Sequence, residues 1–257
     1  MKKNSIISLL IIILVFLSFA RNNVWKSDLV LWSDVFAKAP NNPRGLYNLA
    51  LNLHYEQRYD EAIFYLKRII ELGKHNWFVL SELGAVFADM GLFTDAIKWQ
   101  KEALELNPDS SDVWDFIGIT YVKMGENYKA IEAFEKSLKL KKDSPSTNYY
   151  LGSMYRDIDT IRAIKYYEEA LHLNPDYYEA MIDLGNLYDD LNESEKALYL
   201  YQTAIKKYPN YPEAYYNLGV FYERRGRLEE AVINYKKALS IKPDYKQPYE
   251  RLLQMGK

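Results

Sequence analysis

The sequence predicts an all-α chain, a solenoid of six stacked helical hairpins, and three observations carry that reading. A small residue recurs at Ala50, Gly84, Gly118, Gly152, Gly185 and Gly219, with spacings of 34, 34, 34, 33 and 34. A second series, Ala62, Ala96, Ala130, Ala163, Ala197 and Ala231, runs at 34, 34, 33, 34 and 34. Within residues 213–243, Tyr215, Leu218, Gly219 and Tyr222 form one helical stripe and Ala231, Tyr235, Ala238 and Leu239 another. Gly226 separates the two, and Pro243 ends the second by withholding a backbone donor.

The chain opens with Met1-Lys2-Lys3 and an uncharged run over residues 6–20, followed by Arg21. Fifteen helical residues reach about 22 Å, short of a hydrocarbon core of about 30 Å, as in a signal peptide. Ser18 and Ala20 offer the small residues of a cleavage site, whereas Arg21, Asn22, Asn23 and Trp25 would collar an uncleaved anchor. The expectation is a signal anchor or signal peptide over 1–25. In either case Lys2 and Lys3 stay inside, and the rest of the chain lies outside the cytoplasm. Residues 26–42 read as a lead-in half-repeat whose apolar side is Trp32, Val35 and Phe36.

Six units fill residues 43–243. A large residue follows the first small position by three, as Leu53, Phe87, Tyr121, Tyr155, Tyr188 and Tyr222. Another follows the second by four, as Leu66, Phe134, Tyr167, Tyr201 and Tyr235. Gln100 breaks that series, and the neighbouring Trp99 is expected to fill its place. Large side chains set against Gly/Ala notches let helices approach closely. Because the interval from Gly152 to Ala163 is one residue short, the fourth turn, near residues 157–160, must differ from the others. Residues 244–257 close the stack as a capping helix, with Tyr249 and Leu252 continuing the apolar pattern.

With Leu–Gly–x–x–Tyr in the first helix, then Ala, Phe/Tyr, Ala and Pro, the chain resembles the tetratricopeptide repeat (TPR) family. Ala50, Asn148, Met181, Ile69 and Ser137 depart from that pattern. The resemblance implies a right-handed superhelix whose first helices line a concave groove that receives a protein or extended peptide. Arg21-Asn22, Trp25, Leu31-Trp32, Asp34-Val35, Pro40, Pro43-Arg44 and Asn48-Leu49 carry a second, shorter resemblance. They look like the passage from membrane to repeats in transmembrane TPR-containing O-mannosyltransferases and related bacterial membrane glycosyltransferases. It implies a topology, and no transferase core accompanies it.

Composition narrows the chemistry. Cysteine is absent, which removes thiolate metal sites and cysteine nucleophiles, and the three histidines have no ligand spacing. A net charge of −2 over 257 residues does not make the basic face of a nucleic-acid binder. Asp157-Ile158-Asp159 matches the DxD element of glycosyltransferases formally, without a phosphate loop or a neighbouring base. No catalytic set, cofactor site or metal site is expected.

Projected from the small residues, the groove positions are Arg44, Tyr47 and Tyr55 in the first unit and Phe78 in the second. The third gives Asp112 and Asp115, and the fourth Tyr149 and Arg156. The fifth gives Glu179 and Asn186, and the sixth Glu213, Tyr216 and Arg224. Aromatic residues at the membrane-near end and acidic ones beyond predict an extended peptide with basic and apolar side chains. Tyr47, Leu51, Glu82, Asp112 and Phe116 stand where chaperone-binding TPRs place their carboxylate clamp, and none is cationic. Three readings result: a membrane-anchored extracytoplasmic scaffold, an accessory part of a membrane glycosyltransferase system, or a secreted binding module.

Overall fold

The computed structural model describes residues 27–256, and among them the only regular elements are helices. The segment expected to enter a membrane, 6–20, and its collar at Arg21 and Trp25 lie outside the described residues. Among the described residues no helix is long and apolar enough to cross a membrane. Two compact units divide the chain, one ending at Ala130 and the other beginning at Ile131.

In the first unit α1 (Asp28–Lys38) precedes the hairpins α2 (Pro43–Tyr55) with α3 (Tyr59–Glu71) and α4 (Trp77–Asp89) with α5 (Phe93–Leu106). Next come α6 (Ser111–Met124) and α7 (Asn127–Leu140), within which the division falls. The second unit continues with the hairpins α8 (Pro145–Tyr155) with α9 (Thr160–Leu173), and α10 (Tyr178–Asp190) with α11 (Ser194–Lys207). Last are α12 (Pro212–Arg224) with α13 (Leu228–Ile241), and the closing helix α14 (Lys246–Gln254). First helices of consecutive hairpins touch one another, α2 with α4 and α4 with α6 in one unit, α10 with α12 in the other. Side chains on those helices therefore share one face of each unit.

Helix starts follow from local chemistry. The side chains of Asn42, Asn76, Ser110 and Ser144 accept from the first free backbone N–H groups of α2, α4, α6 and α8. Proline at the first turn of α2, α8 and α12 loses no hydrogen bond there. On α1, Ser27 caps in the same way, and Leu29, Trp32 and Phe36 lean on a core of Leu46, Leu49, Leu53 and Leu66. Val35 Cγ1 sits 3.0 Å from where a side chain on Gly45 would begin.

At the notches the helices approach closely. A Cβ added to Gly152 would stand 2.7 Å from Tyr167 Cδ1, one on Gly185 2.9 Å from Tyr201 Cε1, and one on Gly219 2.5 Å from Tyr235 Cε1. The three tyrosines are at most 1% exposed. Burying each ring is worth about 2–3 kcal/mol, and hydrogen can fill the gap where methyl cannot. In the second hairpin the expected substitution by Trp99 does not occur. Gln100 itself lies under Gly84, its Cγ 2.7 Å from the missing Cβ, fully buried. Its Nε2 donates to Thr120 Oγ1 at 2.8 Å and to the Phe116 carbonyl at 3.3 Å, which offsets part of the cost of burying the amide, while Oε1 is buried without a partner among the described residues. Trp99 stays half-buried against the first core. At the C-terminus, Leu252 packs on Ala231 and Tyr235 as expected, but Tyr249 points away and is 56% exposed.

Hairpin turns show what the shortened fourth unit changes. Gln57, Gly91, Gly125, Asn192 and Gly226, each seven residues beyond the notch, have φ between 59° and 76°. In each, the next N–H bonds back to the carbonyl of the large residue three beyond the notch, as Arg58 N to Leu53 O at 2.8 Å and Arg227 N to Tyr222 O at 3.0 Å. This is the left-handed helix end that satisfies orphan carbonyls. The fourth turn has no left-handed residue. Ile158 N and Asp159 N both donate to Tyr155 O, and the Asp159 carboxylate caps α9 by accepting from Arg162 N at 3.1 Å. Among the second helices, α3, α5, α11 and α13 have no side-chain cap, so Asp159 replaces geometry with a hydrogen bond. Its role also explains the Asp-x-Asp motif: Asp159 serves the helix start.

Gly185→Leu is expected to destabilise by about 1–3 kcal/mol through overpacking against Tyr201. Gly125→Asn, in a left-handed turn with open space around it, should cost a few tenths of that. Thermal melts of the two variants decide the point, and equal losses would contradict the notch assignment. Asp159→Ala should cost about 1 kcal/mol, whereas Glu193→Ala at the same position of α11 should change the denaturant midpoint little.

Candidate functional site

Two depressions form on the face made by the first helices. In the first unit Arg44, Tyr47 and Phe78 border a hollow of about 430 Å³, with Pro43, Ile69, Lys74, Asn76 and Val79 completing it. In the second unit Arg156, Asn186, Tyr216 and Arg224 come together around a polar hollow of about 260 Å³, joined by Asp189, Asp190, Tyr201 and Arg251. Seven of the predicted groove residues thus fall into two hollows. The other six lie outside them. Tyr55 ends α2 with 90% of its surface exposed. Asp112 and Glu179 are exposed in the first turns of α6 and α10, and Asp115 and Glu213 are half-buried. Tyr149 is half-buried among Tyr150, Tyr167 and Tyr177 and donates to Asp183 Oδ2 at 3.0 Å.

A ladder of charge crosses the hollow of the second unit. Asp190 accepts from Arg156 at 3.1 Å and from Arg224 at 2.8 Å. Asp189, only 4% exposed at its side chain, holds Arg224 at 2.8 Å and Arg225 at 2.6 Å. Three successive hairpins are therefore tied by one pair of carboxylates. Tyr201 donates to Asn186 Oδ1 at 2.8 Å, which fixes that amide in the hollow. Burial raises the Asp183 carboxyl above the ordinary range, against the hydrogen bond from Tyr149 and the charge of Arg156. Arg156 and Arg224, projected as ligand contacts, already hold carboxylates.

The first unit repeats the arrangement with a histidine. His54 bridges Glu82 Oε1 at 2.6 Å and Asp89 Oδ2 at 2.9 Å, and Lys123 also pairs with Asp89. Burial disfavours the imidazolium, but hydrogen bonds and charge from Glu82 and Asp89 outweigh it, so the His54 pKa is raised. Burial likewise opposes ionisation of Asp89, and Lys123 and His54 outweigh it to lower that pKa. The sequence carried a signal for these pairs. Asp89 and Lys123, like Asp190 and Arg224, stand five residues beyond their notches with opposite charge 34 positions apart. Lys74, Asn76 and Arg251 could not be found by projecting first helices, because Lys74 and Asn76 lie in a connection and Arg251 in the closing helix, whereas Asp189 stands on α10 itself, four beyond its notch. Among the described residues no group of three His, Cys, Asp or Glu side chains could hold a metal ion.

Stacked hairpins with glycine notches, whose first helices touch within each unit, define a helical-repeat solenoid. Comparison with known families is concordant: one tetratricopeptide repeat profile matches residues 47–111, 159–212 and 182–246, and a second matches 111–144. The chain belongs to the tetratricopeptide repeat family. No curated protein matches it. Among solved structures, that of MamA is 33% identical with a TM-score of 0.56, over 63% of this chain and 95% of that one. YrrB, described as a TPR protein with an unusual peptide-binding site, is 23% identical at a TM-score of 0.55, over 72% and 96%. The human IFIT1 dimer with PPP-AAAA is 20% identical at a TM-score of 0.71, over 88% and 57%.

Because the His54 pKa lies above 6.5, its contribution to stability is complete below that pH and fades as pH climbs through the folded value. Asp89 behaves oppositely, contributing above pH 3.8 and losing its contribution as pH falls through the lower folded value. The melting temperature should therefore decline from pH 6.5 towards alkaline pH in the parent chain. In His54→Gln that alkaline decline should flatten, as scanning fluorimetry across the range would show.

Proposed function

We propose that the chain is a non-catalytic scaffold that receives an extended protein segment on its first-helix face, and that residues 6–20 hold it to the outer side of a membrane. The observation that carries the binding reading is the hollow of the second unit. Four residues projected from repeat spacing alone, Arg156, Asn186, Tyr216 and Arg224, border one concave polar site there. Peptide backbone needs amide donors and acceptors, and Asn186 and Asn217 both border the hollow. Glu179 and Glu213, on the first helices of the second unit, form no side-chain ion pair among the described residues and would receive basic side chains of the ligand. YrrB supports this reading as a peptide-binding member of the same fold. Nucleic acid, the ligand class of the IFIT1 structure, is disfavoured by the net charge of −2 and by the pairing of the hollow's Arg156 and Arg224 with Asp189 and Asp190.

A second reading, an accessory part of a membrane glycosyltransferase system, is favoured by residues 21–49 alone. Both are tested by placing a photo-crosslinking side chain at Tyr216 in the full-length chain in its native cell, with the exposed Tyr199 as control. The scaffold reading expects a discrete adduct from Tyr216 that Tyr199 does not give, in a membrane fraction with residues 1–20 retained. A multi-span glycosyltransferase in that adduct would select the second reading. Adducts from neither position, with the chain in the cytosol, would overturn both.

A further inference from the structure

We propose that the hollow in residues 43–79 binds an internal peptide segment in which one bulky apolar side chain is flanked by acidic residues on both sides. This rests on the peptide-binding reading and reverses, at this one place, the basic character expected of the ligand elsewhere. The floor of the hollow is apolar and rigid: Ile69 is fully buried and Val79 is 5% exposed. Phe78 forms a wall. It is 47% exposed, and Trp77 stacks on one face with centroids 3.6 Å apart, which fixes the ring and leaves its other side to solvent. An aromatic held this way offers apolar area without further loss of side-chain freedom, the property of a binding hot spot. A volume of about 430 Å³ admits a large side chain together with its neighbouring backbone.

Charge then selects what stands beside that side chain. Among the described residues of the first unit, Lys38, Arg58, Arg68, Lys123 and Lys129 hold carboxylates, Lys67 and Lys98 lie over the rings of Phe87 and Trp99, and Lys101 stands away from the hollow. Arg44 and Lys74 border the hollow and have no carboxylate within 4.0 Å among the described residues. They come from different elements, the first turn of α2 and the connection after α3, so each can take an anion of its own. Tyr47 adds a hydroxyl whose pKa is pushed up to about 12 by burial and by Glu82, so it remains a donor at neutral pH. The asymmetry of desolvation fixes the sign. An apolar ligand flanked by lysines would bring like charge to two unpaired cations, whereas glutamates supply charge-assisted partners. A nucleotide fits less well, because Trp77 already occupies one stacking face of Phe78 and no run of cations follows a phosphate chain.

The test uses the full-length chain and fluorescent heptapeptides blocked at both ends. One carries tryptophan between two glutamates, one tryptophan between two lysines, and one alanine between two glutamates, with ATP as a further probe. The glutamate–tryptophan peptide should bind about tenfold more tightly than either other peptide, and the advantage over the lysine peptide should shrink as salt is raised. Phe78→Ala should weaken it about tenfold, and Lys74→Glu should reduce or invert the preference between glutamate and lysine peptides. Lys74 is exposed, so an unchanged melting temperature separates lost recognition from lost folding. Equal affinity for the glutamate and lysine peptides, insensitivity to Lys74→Glu in a folded chain, or tighter binding of ATP would overturn the proposal. A retained Tyr216 adduct alongside any of those results would leave the scaffold reading standing. Peptide discrimination with no adduct would sustain the hollow's specificity and remove the scaffold reading instead.

Discussion

Three hairpins of the second unit depend on a ring seated where a side chain is missing. The distance between the two helices is set by Tyr167, Tyr201 or Tyr235 lying across a glycine, and Gln100 does the same with a thinner, polar side chain. Close approach buries the ring fully, and full burial is what makes a helix pair of about thirteen residues stable when neither helix would persist alone. Everything functional is downstream of that spacing. First helices can lie side by side, and so present a common face, only because the second helices are drawn in behind them.

At Tyr201 and Tyr235 the same contact acquires a polar end. Tyr201 donates to Asn186, and Tyr235 donates to Glu223, so the notch ring reaches through the hairpin to the inner face. Tyrosines three beyond the notch look the other way: Tyr155 bonds to Glu135 and Tyr188 to Glu168, each twenty positions back on the preceding second helix. Phenylalanine would fill these volumes equally well. The hydroxyls couple packing inside a hairpin to the amide in the hollow and to the neighbouring hairpin.

Much of this architecture was legible because it is periodic. Notches, rings and terminating prolines repeat at a fixed spacing, and one missing residue localised the altered fourth turn. The chemistry of that turn was not legible, since Asp159 acts as a cap only after the left-handed residue has been removed. Gln57 and Asn192 likewise adopt a conformation that glycine signals elsewhere. Gln100 is polar yet keeps the position of the series, because Thr120 and the Phe116 carbonyl accept from its Nε2. For the site, projection found residues on the right helices but not their commitments. Which of two arginines is free depends on pairing across 34 positions, and residues from connections or the closing helix have no periodic signature.

The ion pairs that join Arg156, Asp190 and Arg224 have a mechanical meaning. They link points on three consecutive hairpins along the surface where first helices meet, while the apolar contacts lie deeper between the helices. Such a line behaves as a tendon. Its tension depends on ionic strength, because the arginine side chains reach solvent, whereas the stiffness of the packed layer does not. The spacing of these three hairpins is therefore held by two springs of different kinds, one adjustable by the medium and one fixed by the sequence.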